Sequence, residues 1–405
     1  MRIYLIPLLL LLVFCIGSDV YIRRALCSRL KTRAGKILSR LHIGLAIILY
    51  AVLAFGLLMP KQDVSDNSLR DIMWILFTFL AFYIPKILFC LLDAFAYIPQ
   101  LWHAKRAKWV SKTATVFSGI VFIALWWSAL GGRYATQTRE ITVCIPGLPD
   151  EFENYRIVQF SDFHVGTYGN DTAYVSRVVD RINSLGADAI LFTGDIVNRH
   201  SPEIDPFVKP LSRLRASDGV YAVLGNHDYG DYYNWETPDE KIDDRRHLLS
   251  MIDRMGWNLL LNQTRFIGRG NDSIAIIGVE NIGDAPFPTY GSLTESYPGN
   301  LQDSVAKILL THNPAHWTAE IENNPEINIP LTLSGHTHAM QVELIGLSPA
   351  VFRYPKWGGL YRSEMTPSKQ LYVNIGLGTV AIPMRLGARP ELTLITLTGK
   401  ECREE

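Results

Sequence analysis

Cysteine is scarce in this chain: five among 405 residues, at positions 15, 27, 90, 144 and 402, with no Cys-x-x-Cys pair. That spacing suggests neither a zinc ribbon nor a disulfide framework, and leaves Cys144 with Cys402 as the one pairing to consider. Net charge is lacking as well, since 39 Lys and Arg balance 39 Asp and Glu. No Gly-x-Gly-x-x-Gly and no P-loop spacing occurs, so the glycines near 376 read as turns rather than phosphate cradles. There is no internal repeat, no long low-complexity linker, and no small-x-small cleavage site after the first apolar run. The length permits a large core and more than one domain.

The zero net charge hides an asymmetry. Up to Glu140 there are 17 basic and 6 acidic residues, leaving 22 basic and 33 acidic after it. An acidic C-terminal part argues against nucleic acid as a partner. Residues 1–138 carry four apolar stretches, 3–17, 41–59, 72–98 and 113–130, read as a transmembrane region of four helices whose partner is the lipid bilayer. The first is also compatible with a signal-like segment, and the third is long enough to tilt or to kink at Pro85. Loop 23–40 holds seven Lys or Arg and no acid, loop 103–112 holds four, and 60–71 between them is mixed. The positive-inside rule then places both basic loops in the cytoplasm, and everything after Gly131 on the non-cytoplasmic side of a cell membrane. Lys86 and Asp93 lie seven residues apart on one helix face of the third stretch. They are expected to pair with each other or to snorkel, the alternative being a functional intramembrane charge.

Residues 139–405 alternate strand and helix patterns, with hairpin-like pairs later, and read as an α/β domain. Helical spacing marks 175–182, 207–215 and 248–255, a polar and aromatic loop fills 229–246, and strands are expected at 139–146, 257–261 and 273–279. Five further apolar runs each end in a polar cluster. These are Asp162-Phe-His164, Gly194-Asp195, Gly225-Asn226-His227-Asp228, His312, and Gly335-His336-Thr-His338. The carboxyl ends of strands are where open α/β sheets bind ligands.

This order of blocks resembles the calcineurin-like metallophosphoesterases over about 155–397, and specifically their membrane-anchored bacterial-type branch. The resemblance implies a four-layer α/β/β/α sandwich and two divalent metal ions, Mn, Fe or Zn. One ion would be held by Asp162, His164, Asp195 and His338, the other by Asp195, Asn226, His312 and His336, with Asp195 as the bridge. The residue types agree independently, because imidazole and carboxylate together suit those metals. His336 and His338 at a spacing of two fall on the same side of an extended chain. A binuclear centre supplies a metal-bridging hydroxide to attack phosphorus and cancels developing negative charge. His227 would face the leaving group or the phosphoryl oxygens, and Asp228 beside it is read with it as catalytic, the alternative being that it orients His227 or caps a turn.

The chain departs from the family pattern twice. Asn198 stands where the protein-phosphatase branch has an Asp that supports the catalytic His, and Ala339-Met340-Gln341 stands where membrane-anchored bacterial members commonly carry Gly-Gly-Gln. The apolar loop 342–362 either packs on its own domain or forms a lip beside the metals. The expected activity is hydrolysis of phosphomonoesters or phosphodiesters, amphiphilic or lipid-linked ones included. A lipid pyrophosphatase acting on a nucleotide–lipid diphosphate is the rival enzyme, and a membrane sensor that keeps the fold without turnover is the rival outside enzymology. A transporter is disfavoured, because three or four spans leave little room for repeat pairs.

Overall fold

The computed structural model describes residues 5–58, 65–284 and 288–399. The chain divides into two compact units, Met1–Leu130 with Ala381–Met384, and Gly131–Val380 with Arg385–Glu405. Of the cysteines, Cys15, Cys27 and Cys90 are free thiols and Cys144 is disulfide-bonded. Cys402, the partner considered for Cys144, lies outside the described residues.

Among the described residues the first unit holds four α-helices, α1 (Leu5–Arg29), α2 (Arg33–Leu58), α3 (Asp66–Ala94) and α4 (Lys108–Leu130). Among the described residues three helical segments are long and apolar enough to cross a membrane: Arg33–Leu58, Asp66–Trp102 and Lys108–Tyr134. Residues 3, 4 and 59, at the ends of two expected stretches, lie outside the described residues. α3 starts at Ser65, whose side chain accepts a hydrogen bond from the Ser68 amide, and stays helical through Pro85.

Lys86 and Asp93 do not pair with each other. Lys86 Nζ lies 3.0 Å from Asp19 of α1, whose carboxylate also accepts from Tyr83 at 2.8 Å and Tyr50 at 3.1 Å. Asp93 is fully buried and accepts from Tyr21 at 2.6 Å, from Arg106 at 3.1 Å, and from both terminal nitrogens of Arg29. Seven residues are about 10 Å along a helix axis, too far for direct pairing. The basic end of α1 and the residues after α3 supply closer partners.

The second unit is built on two six-stranded sheets. The strands and principal helices in chain order are β1 (Gln137–Cys144), β2 (Arg156–Phe160), α5 (Ala173–Ser184), β3 (Ala189–Phe192), α6 (Val208–Leu211), β4 (Val220–Ala222), α7 (Pro238–Arg254), β5 (Asn258–Leu259), β6 (Gln263–Arg269), β7 (Asp272–Gly278), β8 (Ala306–Leu310), β9 (Leu331–Ser334), β10 (Gly359–Arg362), β11 (Gln370–Val373) and β12 (Glu391–Thr398). The first sheet has the order β1-β12-β2-β3-β4-β5 and the second β10-β11-β9-β8-β7-β6. Alternation along each strand makes the layers. Ile157, Leu191, Ile276, Ile308 and Leu333 point into the core between the sheets. Val158, Ile190 and Phe192 point outward against Val175, Val179 and Ile182 of α5 and Leu248 and Ile252 of α7. On the far face Ile277, Leu309 and Val373 pack against Trp317 and Ile321 of a short helical segment. This is the four-layer α/β/β/α arrangement.

One element differs from its sequence reading. Helix α7 begins at Pro238, inside the stretch expected to be loop. Its start was encoded: the Thr237 side chain accepts from the Glu240 amide, Pro238 sits at the first turn, and Asp239 and Glu240 follow. That is a capping signal at a place with no apolar periodicity to draw attention to it.

Candidate metal centre

β2, β3 and β4 run parallel in one sheet and β7, β8 and β9 run parallel in the other, so their carboxyl ends collect at one edge of the sandwich. Each sequence-predicted ligand lies just past such an end. Asp162 and His164 follow β2, Asp195 follows β3, Asn226 follows β4, His312 follows β8, and His336 and His338 follow β9.

The turns that carry them are strained. Asp162 (φ 49°), His164 (45°), Asp195 (61°), His336 (75°) and His338 (50°) all sit in the left-handed region. Such a conformation is costly for a residue with a Cβ, and its clustering marks a functional site. Gly194 shows why the residue before Asp195 carries no side chain. Its φ is 95°, and an added Cβ would lie 2.5 Å from the Gly225 nitrogen and 2.9 Å from Nδ1 of His312.

The ligand atoms form two groups. In the first, His338 Nε2 lies 3.2 Å from Asp162 Oδ1 and 3.0 Å from His164 Nε2. In the second, His312 Nε2 lies 3.1 Å from Asn226 Oδ1 and 3.2 Å from His336 Nδ1, which is itself 2.9 Å from Asn226 Oδ1. Asp195 Oδ2 touches both, 3.6 Å from His164 Nε2 and 3.1 Å from His312 Nε2.

The outward nitrogens of these rings are already engaged. His164 Nδ1 donates to the Val197 carbonyl at 3.1 Å, and His312 Nδ1 to the Thr193 carbonyl at 2.7 Å. His336 Nε2 is 3.0 Å from the Tyr354 hydroxyl. A ring whose outer N–H is spent on a carbonyl presents a lone pair on its inner nitrogen. Buried imidazole nitrogens, two carboxylates and an amide oxygen therefore converge, a donor set that fits divalent cations.

The electrostatics agree. Burial would raise both carboxyls, but the imidazoles, led by His338 for Asp162 and His312 for Asp195, hold them well below the usual carboxylate range. Burial, with His227 nearby, holds His164 well below the ordinary imidazole value. Burial, with His312 nearby, pushes His336 down to about 3. His312 goes the other way: burial opposes its charge, yet the Asp195 carboxylate raises it to about 9.

His227 stands at the rim. Its amide donates to Asp195 Oδ1 at 2.8 Å, and its Nδ1 donates to the backbone carbonyl of Asn198 at 2.6 Å. The side chain of Asn198 points elsewhere and donates to Thr167 Oγ1 at 3.0 Å. A main-chain oxygen thus supports the histidine where a carboxylate was missing.

Asp228, read with His227 as catalytic, has another use. Its buried carboxylate accepts from the amides of Asp195 (2.8 Å), Gly225 (2.9 Å), Ile196 (2.9 Å) and Val197 (3.2 Å). Those bonds fold the Asp195 turn onto the 225–228 turn, so Asp228 is a positioning residue. Burial and the Asp195 charge push its carboxyl up to about 7, against the pull of the Gly225 and Val197 amides.

Three residues at the site carry no motif. The Tyr232 hydroxyl accepts from Asn226 Nδ2 at 2.9 Å, turning the amide oxygen inward, and its ring stacks on His227 at 4.3 Å. Tyr354 holds His336. Arg385 is buried, donates to the carbonyls of Gly378, Ile375 and Ala388, and packs 3.2 Å from His338 Nδ1. Only the spatial arrangement brings these three to the centre.

Comparison with known proteins bears on the family. Residues 155–340 match the family model for calcineurin-like phosphoesterases, and residues 1–133 match a model for the transmembrane domain of probable calcineurin-like phosphoesterases. The chain is 32% identical over 271 residues to YkuE of Bacillus subtilis (strain 168), described as an uncharacterized metallophosphoesterase, spanning 64% of this chain and 85% of that one. It is 29% identical over 335 residues to a transmembrane protein with metallophosphoesterase domain from Bos taurus, covering 79% of this chain and 72% of that one. A Danio rerio protein of the same description is 29% identical over 267 residues, and the match spans 64% of this chain and 56% of that one.

Proposed function

Since the chain belongs to the calcineurin-like metallophosphoesterases, we propose that this membrane-associated hydrolase works with two divalent cations, both of which Asp195 would help to hold. The observation that carries this reading is the single Asp195 oxygen within 3.6 Å of His164 and 3.1 Å of His312, at the junction of the two ligand groups. One cation would be held by Asp162, His164, Asp195 and His338, the other by Asp195, Asn226, His312 and His336. When bound, the cations lower the pKa of a coordinated water and neutralise charge on phosphoryl oxygens.

The remaining work falls to the chain. His227, held by Asn198 at Nδ1, keeps its other nitrogen for a leaving oxygen or a phosphoryl oxygen. Tyr232 keeps Asn226 facing the second cation, and Tyr354 keeps His336 from rotating. Asp228 fixes the turn that aims Asp195. The substrate is a phosphomonoester or phosphodiester, with lipid-linked esters in range because the enzyme is membrane-associated. That every ligand is present and convergent weighs against a sensor without turnover.

The catalytic unit is assigned to the non-cytoplasmic side, with four helices crossing the membrane. The basic loops 23–40 and 103–112 support this, as does a disulfide-bonded Cys144, which suits an oxidising compartment.

The test uses the full chain in detergent with p-nitrophenyl phosphate and bis-p-nitrophenyl phosphate, with and without Mn²⁺. Metal-dependent turnover that Asp195→Asn abolishes is expected, and the preferred ester separates monoesterase from diesterase. Folded protein shown to hold two metals per chain and inert toward both esters would count against general phosphoesterase activity.

A further inference from the structure

The outer half of loop 342–362 is built unlike an ordinary hydrated turn. The Leu344 amide donates to the Leu347 carbonyl at 2.8 Å and the Leu347 amide to the Leu344 carbonyl at 3.0 Å, closing a two-residue hairpin. At its tip Ile345 has φ 53° and Gly346 φ 74°. Two positive φ angles in succession call for Asn, Asp or Gly, because a β-branched side chain is strained in the left-handed region. Ile345 accepts that strain with no protein contact to offset it, since it is 102% exposed.

Its neighbours are exposed too. Phe352 is 93% exposed and Leu347 75%, while Leu344, Val351 and Met340 are about half exposed. No charged residue occurs from 344 to 352. The base of the loop is nonetheless firmly tied. Ser348 Oγ donates to the Ala339 carbonyl at 2.6 Å, and the Glu343 amide donates to the Leu386 carbonyl at 2.8 Å. The inner half packs on its own domain, Leu360 against the core between the sheets and Tyr361 against the outer core. The loop therefore does both things considered for it, packing with one half and presenting an apolar point with the other. That point is wired to the centre, because Ala339 follows His338 and Tyr354 bonds His336.

We propose that this tip, with Ile345, Leu347 and Phe352 as its leading side chains, inserts into the bilayer that holds the chain's own helices. Six residues separate α4 from β1, so the second unit stays tethered to the membrane that the helices cross. Uncharged aliphatic and aromatic side chains suit the interfacial and acyl layers. The strain at Ile345 is intelligible when the tip must be apolar, and unintelligible at a tip that stays in water. Insertion would hold the His336 side of the centre at headgroup level and favour phosphoesters carried on lipids. That consequence rests on the phosphoesterase reading; the insertion itself does not.

The test uses full-length protein in phosphatidylcholine proteoliposomes, in a Cys27→Ser background. A bimane label at Ile345→Cys is compared with one at Asn271→Cys, on the exposed turn between β6 and β7, and both are titrated with doxyl-labelled phosphatidylcholine. Stronger quenching at 345 than at 271, independent of protein-to-lipid ratio, supports insertion. Equal quenching overturns it, and so does burial of the 345 label that vanishes when the protein is diluted among vesicles, which would mean a contact between copies. The double variant Ile345→Asn with Phe352→Ser adds a second reading, and Asn at 345 suits the positive φ, so thermal unfolding should not fall. Its kcat/KM should drop about tenfold or more on a bilayer-embedded phosphoester, given the apolar burial lost, and be unchanged on bis-p-nitrophenyl phosphate. Equal effects on both esters would overturn the proposal. Wild type inert toward both esters would instead remove the phosphoesterase reading and leave the quenching result to decide insertion.

Discussion

At His312 burial and charge compete, and the outcome predicts how metal uptake depends on pH. Its ring is raised to about 9 by Asp195, so at neutral pH the metal-free centre holds a proton on His312 that a cation must displace. The His312–Asp195 pair stabilises the metal-free fold fully below pH 6.5, and this contribution is lost as pH rises through about 9. Metal affinity should therefore climb with pH up to about 9, with close to one proton released per centre at pH 7. Titration calorimetry in buffers of different ionisation enthalpy measures that proton, and a buffer-independent heat would contradict it. Asp228 makes the complementary case. Asp228→Ala strands four buried amides and should cost more than about 3 kcal/mol in unfolding free energy. Asp228→Asn keeps one acceptor and should cost less. Loss of turnover in Asp228→Asn at unchanged stability and metal content would instead make it a catalytic group. The polar clusters could be read from strand ends, because a polar cluster after an apolar run is a local pattern, and the family resemblance then implied which of their residues are ligands. The roles of Tyr232, Tyr354 and Asn198 could not, because each depends on which strands lie side by side.

Among the elements, the turn after β4 and the polar network of the helices carry the sharpest consequences. A Cβ on Gly225 would lie 2.2 Å from Asp195 Oδ1 and 2.6 Å from the Asp195 nitrogen. Gly225→Ala must push the Asp195 carboxylate aside, so about 1–3 kcal/mol of destabilisation is expected together with lost metal. Metal analysis beside thermal unfolding checks both, and full metal content in a stable variant would refute the stated geometry. In the first unit, Asp93→Ala leaves Arg29 and Arg106 without their buried acceptor and should destabilise the helices by about 3–5 kcal/mol. Urea-dependent unfolding in detergent would measure it. The sequence placed Asp93 on a helix face with Lys86 but could not say which neighbour would face it. Helix α7 was missed over its first turns for a related reason: its cap is local, but its first two turns are polar and exposed, with no periodic apolar stripe to announce them.

For the whole molecule the testable claim is sidedness. With both basic loops in the cytoplasm, a cysteine placed at Asn271, exposed on the turn between β6 and β7, should react with a membrane-impermeant thiol reagent on intact cells. Reaction only after lysis would invert the topology. The sequence by itself determined the division into an apolar helical part and an α/β part, because hydropathy and periodicity are properties of short windows. It marked the five polar clusters that hold the seven metal-ligand candidates as well, because each cluster follows the apolar run of its own strand. Only the tertiary structure decided how seven positions spread over 177 residues become two groups sharing one carboxylate. Parallel pairing within two sheets brings their carboxyl ends to one edge, and left-handed turns, invisible to residue type at Asp or His, aim the side chains inward. The same holds for the loop tip at Ile345. Its apolar residues were legible in order, but whether they faced a core or water was settled by packing alone.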